Sequence, residues 1–421
     1  MHRRPFRLFV ALAACCSLAG CGRDEGAAQA SFAKREAAPG GLASGEPVGG
    51  AEGGSDRAEL RAPGPPPAEA SSPDAGAGRV GLTLLAGGDV SYGRLVGQLL
   101  LEDPGRELFA ALKPLLATAD LRFANLESQL SDQGGETESP HNPLVFTGPP
   151  EGAASLARAG FDVVSLANNH ALDYGRRALF ETMGHLDRAG VRYAGAGRSR
   201  KSAHAPLVVE RGGFRLALLA VTDIWNHKPF TKNPDGDFVA GADADGLPAA
   251  VRALKRDKSI DFIAVSYHGG REFVPEPTAR TRQLLRAALD AGADVAIGHH
   301  PHVAQGVEWR GGKPILYSLG NLLMQMRESH PWVDRGYLAR IRFARGEAPR
   351  VEACPFRAEA GLPRPLADDP QRGPSERQFF DRLEAISRPL GGTQIGAPGG
   401  DGCAPLAAPD QAPGPVAAKA R

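Results

Sequence analysis

Short apolar runs, each ending abruptly in a polar cluster, recur along the middle of this chain and restrict its fold more than any other feature. LTLLAG (82–87) runs into Gly88-Asp89 with Arg94 close behind, and LRFA (121–124) into Asn125-Leu126-Glu127. FDVVSLA (161–167) runs into Asn168-Asn169-His170, and DFIAVSY (261–267) into His268. DVAIG (294–298) runs into His299-His300-Pro301-His302, and ILYSLG (315–320) into Asn321. Runs of this length read as buried strands. Between them lie helical patterns at 105–119, 151–160, 176–190 and 278–292, several ending at Gly as helix C-termini prefer. Strands alternating with helices predict an α/β domain with a largely parallel sheet. The Gly-Gly turn in VEWRGGKPILYS adds a hairpin, so the sheet arrangement is expected to be mixed.

In open α/β sheets the carboxyl ends of the strands form the ligand crevice. The polar clusters, distant in sequence, should therefore converge at one end of the domain. Five of the eleven histidines fall in these junctions, beside Asp, Glu and Asn. Imidazole with carboxylate and amide oxygen is a ligand set for Zn, Mn or Fe, whereas an acyl-transfer triad needs a different mixture. His300 and His302 can each bind from an extended loop, with Pro301 stiffening the turn. Taken singly, Asp89 could cap a helix, Glu127 could be a solvated loop residue, and His268 a hydrogen-bonded core histidine. Asn168 and Asn169 could be turn formers. A separate coincidence at every strand end is a poor account of the whole set. Arg94 is expected to be free to clamp an anionic group of the substrate.

The two ends of the chain differ from the middle. MHRRPFRLFVALAACCSLAGC has a basic start and an apolar run too short to span a bilayer comfortably, the shape of a secretory signal. Leu18-Ala19-Gly20-Cys21 resembles the lipobox of bacterial lipoproteins, in which the chain is cut before Cys21 and that Cys carries lipid. Gly22 follows it, which by resemblance to known sorting rules does not signal retention at an inner membrane. The expected location is a lipid-anchored, exported one in the cell envelope, at the outer membrane if the cell is Gram-negative. Removing residues 1–20 takes away three positive charges and no negative ones, turning a formal +1 into −2. The anchor would thus be lipid and not electrostatic attraction. Residues 21–78, rich in Gly, Ala, Pro, Ser and Glu, read as a disordered tether. The folded domain is expected over 79–358. Residues 359–421 are expected to be mostly disordered, with a short helix near 374–387. Cys354 and Cys403 survive outside the signal, and a disulfide between them is open in an oxidising compartment.

Other functions are poorly supported. Lys+Arg total 49 against Asp+Glu 48, with no basic stripe interleaved with aromatics, which argues against nucleic acid. AGGD and AGAGRS lack the P-loop Lys and the dinucleotide spacing. Ser165 and Ser266 lie inside strands without a nucleophile elbow, and Cys354 has no His partner nearby.

GGDVSYGR, FANLES, VFTGPPEGAASLARAGFDVVSLANNHALDYG, VRYAGAG, SYHGGREF and GHHPHVAQGVEWRGGKPILYSLGNLL occur in that order. Over about residues 80–350 they resemble the capsule-synthesis CapA family, also called the poly-gamma-glutamate synthesis (PGA-cap) family. The resemblance implies a calcineurin-like metallophosphoesterase fold, a mixed β-sandwich flanked by α-helices. By position it implies Asp89, Glu127, Asn169, His268, His300 and His302 as ligands of one or two divalent ions, and His170 as the catalytic histidine. Arg94, Asn168 and Asn321 would meet substrate. Ser91 stands where phosphoesterases carry the His of their Asp-x-His motif, which leaves a complete two-metal site in doubt. Gly269 replaces a common Trp, which opens one wall of the pocket. The implied partner is an anionic polymer, with membrane components of a capsule synthesis complex. Two alternatives stay open: a metallophosphoesterase acting on phosphate esters, and a non-enzymatic polymer-binding or export accessory.

Overall fold

A computed structural model describes residues 81–226, 234–327 and 330–414. The expected signal peptide, Cys21 and the tether lie outside the described residues.

Two large sheets carry the fold. One runs in the order Gln394–Ile395, Ala404–Ala407, Arg350–Glu359, Arg335–Phe343, Leu82–Val90, Leu121–Leu126, Val163–Ser165, Arg192–Ala194. Its last four strands are parallel, and Arg335–Phe343 and Arg350–Glu359 are antiparallel to their neighbours. The other runs Val307–Arg310, Lys313–Leu316, Val295–His299, Phe262–His268, Phe214–Thr222, Leu207–Arg211. Its four inner strands are parallel, and both edges are closed by antiparallel hairpins. One of these hairpins is the expected Gly-Gly turn.

Alternation along the second sheet explains its layering, since successive strand residues point to opposite faces. Leu216, Leu218, Phe262, Ala264, Val295 and Ile297 join the core shared with the first sheet. Leu219, Val221, Ile263, Val265, Tyr267 and Ala296 point the other way, onto Leu247 and Val251 of helix Gly246–Arg256 and Leu284, Leu285 and Ala288 of helix Ala279–Ala291. The strands are therefore apolar on both faces, as parallel strands buried between layers must be. Phe262 stacks on Phe343 at 5.0 Å across the interior. The mixed α/β sandwich with flanking helices is as the sequence leads one to expect.

Several boundaries differ. The continuous helix expected over 105–119 is a 3₁₀ turn, Ala110–Leu112, followed by the short helix Lys113–Leu116. Pro114 lacks the N–H that a helix running through it would bond, so a new helix starts at Lys113 with Pro114 in its first turn. Arg94–Glu102 and Gly246–Arg256 are helices that the reading of the sequence missed.

The largest correction concerns the C-terminal region. Beyond Gly391, where disorder is expected, Ala404–Ala407 pairs antiparallel with Arg350–Glu359, and Cys403 forms a disulfide with Cys354. Helix Arg372–Ser387 buries Phe379, Phe380 and Leu383. Buried Arg340 ties the tail further by pairing with both Glu352 and Asp401. A composition poor in large apolar residues is offset here by a cross-link and by backbone pairing.

Candidate metal centre

Strand register brings the polar clusters together. Asp89 lies opposite Asn125 on one side and Asn321 on the other, and Asn125 lies opposite Ser165. In the second sheet His268 lies opposite His299. The two sets meet where the sheets' strand ends abut: the His300 backbone N–H donates to Asp89 Oδ2 at 3.2 Å.

At the centre is Glu127, fully buried. Its Oε1 lies 3.5 Å from His268 Nε2 and 3.9 Å from His302 Nε2. Asn169 Oδ1 is 2.8 Å from His268 Nε2, and Asn125 Nδ2 donates to Asp89 Oδ1 at 2.9 Å. His302 Nδ1 contacts Asn321 Oδ1 at 2.8 Å, which leaves Nε2 turned to Glu127. Ligand atoms of Glu127, His268 and His300 lie within 4.8 Å of one another, as do those of Asp89, Glu127 and His302. His300 and His302 both take left-handed backbone, φ 98° and 58°. Such geometry costs on the order of 1–2 kcal/mol per non-Gly residue and collects at functional sites.

The electrostatics are those of a site built around positive charge. Burial alone would raise Asp89, but its contact with His299 and the charges of His299, His268 and His302 outweigh that and hold its carboxyl below the usual range. Burial, then the charges of Asp89 and Glu272, push Glu127 well above it. Burial, then His300, holds His268 far below its ordinary value. Burial and His302 take His300 down to about 3. Among the described residues, Glu127 Oε1, His300 Nδ1 and His299 Nε2 are buried without a hydrogen bond. Each such orphan costs about 1–3 kcal/mol. Neutral imidazoles and unpaired carboxylate oxygens converging on one point fit a divalent cation of the Zn, Mn or Fe kind.

Of the residues singled out in sequence, Asp89, Glu127, Asn169, His268, His300 and His302 come together. His170 stands beside them. Its ring stacks on Phe146 at 4.1 Å, and its Nδ1 meets Asp173 Oδ2 at 2.8 Å. Arg94 is not free, contrary to expectation. Its guanidinium donates to Glu138, to the Gln325 carbonyl and to the Pro143 carbonyl, and packs over Phe146. Asn168 and Asn321 are likewise engaged by the protein. Asn168 donates to Asn125 Oδ1 and the Leu126 carbonyl, and Asn321 pairs with His302 and donates to the Val333 carbonyl. Both hold other residues of the site in place through these bonds.

Four residues of the site were not singled out. His299 and Asn125 sit within the polar runs but were passed over for their neighbours. Asp173 and Glu272 lie in segments that read as loop, and only the fold brings them in. Ser91 is fixed in a turn, its Oγ accepting from the Gly93 N–H at 3.1 Å. Where Gly269 leaves the expected open wall, Phe273 supplies a ring 5.9 Å from that of His302.

A family model described as "Bacterial capsule synthesis protein PGA_cap" matches residues 83–326. The PGA biosynthesis protein CapA of Bacillus subtilis (strain 168) is 29% identical over 290 residues, covering 67% of this chain and 73% of that protein. The capsule biosynthesis protein CapA of Bacillus anthracis is 28% identical over 290 residues, covering 68% and 69%. Among solved structures, a hypothetical protein from Thermus thermophilus aligns with a TM-score of 0.38 at 20% identity, over 67% of this chain and 96% of that one.

Proposed function

The chain belongs to the bacterial capsule synthesis protein PGA_cap family, and from that premise we propose that it is a lipid-anchored envelope protein acting on an anionic capsule-like polymer. The polymer is of the poly-gamma-glutamate type, and the protein serves its synthesis, transfer or cleavage by metal-dependent hydrolase chemistry. The observation that carries the chemistry is the buried, unpaired Glu127 Oε1 facing His268 and His302. The names of the two Bacillus relatives support the polymer. The Cys354–Cys403 disulfide supports an oxidising compartment, in keeping with export.

Asp89, Glu127, Asn169, His268, His300 and His302 would hold one or two ions between them. A divalent cation there supplies Lewis acidity at the oxygen of a scissile amide or ester. His170, anchored through Nδ1 by Asp173, presents its other ring nitrogen for giving a proton to the leaving group. Phe146 fixes the plane of that ring. Arg94 packs over Phe146 and supports the wall.

Ser91 bears on the alternative of phosphate esters. Held in its turn, it gives no imidazole where phosphoesterases use one, which favours the polymer reading. The test is metal analysis of the purified protein, followed by incubation with poly-gamma-glutamate and with phosphodiesters in parallel. Bound metal and shortened polymer are expected. Protein that carries no metal and is unchanged in stability by Mn or Zn overturns the enzyme reading in favour of a binding accessory; turnover of phosphodiesters alone overturns the polymer.

A further inference from the structure

Glu272 lies outside every strand end, on the exposed loop after His268, yet its carboxylate reaches the histidines. Its ligand atom and those of His300 and His302 all lie within 4.8 Å of one another. Among the described residues it makes no hydrogen bond or ion pair that would account for this placement. Its charge nevertheless acts on buried Glu127, ranking after burial and Asp89 in raising that group.

The loop is held there at a cost. Phe273 takes left-handed backbone, φ 61°, which a bulky residue adopts only when its surroundings enforce it. The enforcing contacts come from the same turn that carries the two histidines. The Phe273 N–H donates to the Pro301 carbonyl at 2.8 Å. The Phe273 ring packs toward His302 and stacks on His330 at 3.9 Å. The contacts with Pro301 and His302 press the Glu272–Phe273 step against the His300-Pro301-His302 turn. His300 Nδ1 is buried and unpaired.

The geometry points to Glu272 as a metal ligand that completes a second cation position with His300 and His302, on the solvent side of the buried cluster, which leaves Asp89, Glu127, Asn169 and His268 to the buried ion. This rests on the metal reading above and extends it. A chain whose Ser91 offers no imidazole regains a second position by another route, with a carboxylate from a different loop. A carboxylate and two imidazoles make a three-ligand set for a Zn- or Mn-like ion.

Calorimetric titration of the metal-stripped protein with Mn²⁺ and with Zn²⁺, checked by elemental analysis, tests this. Wild type is expected to take two equivalents. Glu272→Gln, an exposed substitution, is expected to keep the tighter one within about threefold and to weaken the other by about 10–100-fold. A single equivalent in wild type, or a Glu272→Gln protein that titrates like wild type, overturns the second position while the buried site stands. No binding by wild type overturns the metal reading itself, and this inference with it.

Discussion

His299 Nδ1 lies 3.2 Å from Asp89 Oδ1, with both side chains sealed from solvent. The next residue, His300, gives its backbone N–H to the other Asp89 oxygen. One carboxylate is thus gripped on both oxygens by consecutive residues of the opposing sheet. His299 is a positioning residue, and its ring rests edge-on against Phe123 at 5.9 Å. His299→Phe keeps that apolar contact and removes the imidazole. Metal affinity should fall about 10–100-fold, as for outer partners of ligands generally. Calorimetry with Mn²⁺ decides it, and unchanged affinity would remove His299 from the support of the site.

Glu127→Gln should move stability and metal binding in opposite directions. Glu127 is raised in the folded state by burial and by Asp89, so its contribution is favourable at low pH and is lost as pH rises through the folded value. Removing the charge should raise the midpoint of thermal unfolding of the stripped protein at pH 7.5, by the equivalent of about 1–3 kcal/mol. Metal uptake should collapse in the same variant. A lowered midpoint without metal would contradict the account of Glu127 as an unpaired buried charge.

The histidines make the opposite pH prediction. His268 is depressed by burial and by His300, and His300 by burial and by His302, so the unfolded chain takes up protons first. Their contribution is fully present above the unfolded value of about 6.5 and is lost as pH falls below it. Glu127 opposes this, so the measurement belongs in stripped Glu127→Gln. Its unfolding midpoint should drop steadily between pH 7 and pH 5; a flat profile would mean the histidines are not held neutral.

Asp173→Asn should separate chemistry from metal binding. The Asp173–His170 contact lies outside the ligand set, so metal stoichiometry should be unchanged. Turnover of the polymer should fall about 10²-fold or more, the scale of a lost general acid. A shift in the acid limb of the rate–pH profile would mark the role as proton handling, and an unaltered rate would dismiss it.

Cys354→Ser with Cys403→Ser should loosen the tail first. The disulfide closes a separation of 49 residues, for which chain entropy predicts about 4 kcal/mol of stabilisation. Backbone amides of Ala404–Ala407 should exchange faster than those of Leu82–Val90 in the double variant. Equal protection of the two strands would show that pairing alone holds the tail.

The reading of the sequence reached the buried half of the site for a physical reason. A ligand at the end of an apolar strand is announced by the strand, and the His300-Pro301-His302 run has no bland use. Glu272 had no such announcement, because its place depends on left-handed backbone at Phe273, which the residue type disfavours. Arg94 read as free because the carboxylate that captures it, Glu138, lies 44 residues away on a small separate sheet. The tail read as disordered because Ala404–Ala407 contains no β-branched residue. Its order comes from a partner strand and a cross-link, and neither leaves a mark in local composition.

The strand ends that meet at Asp89 come from nearly the whole length of the domain, from residue 89 to residue 321. No shorter piece of the chain can gather the ligands, since the sheets abut only once both have formed. An ion bound there would therefore be chosen at the end of folding, from whatever supply surrounds the chain at that moment. Affinity alone ranks the divalent metals in the same order at most such sites. Which one the protein would carry becomes a matter of where, and how late, its last strands close.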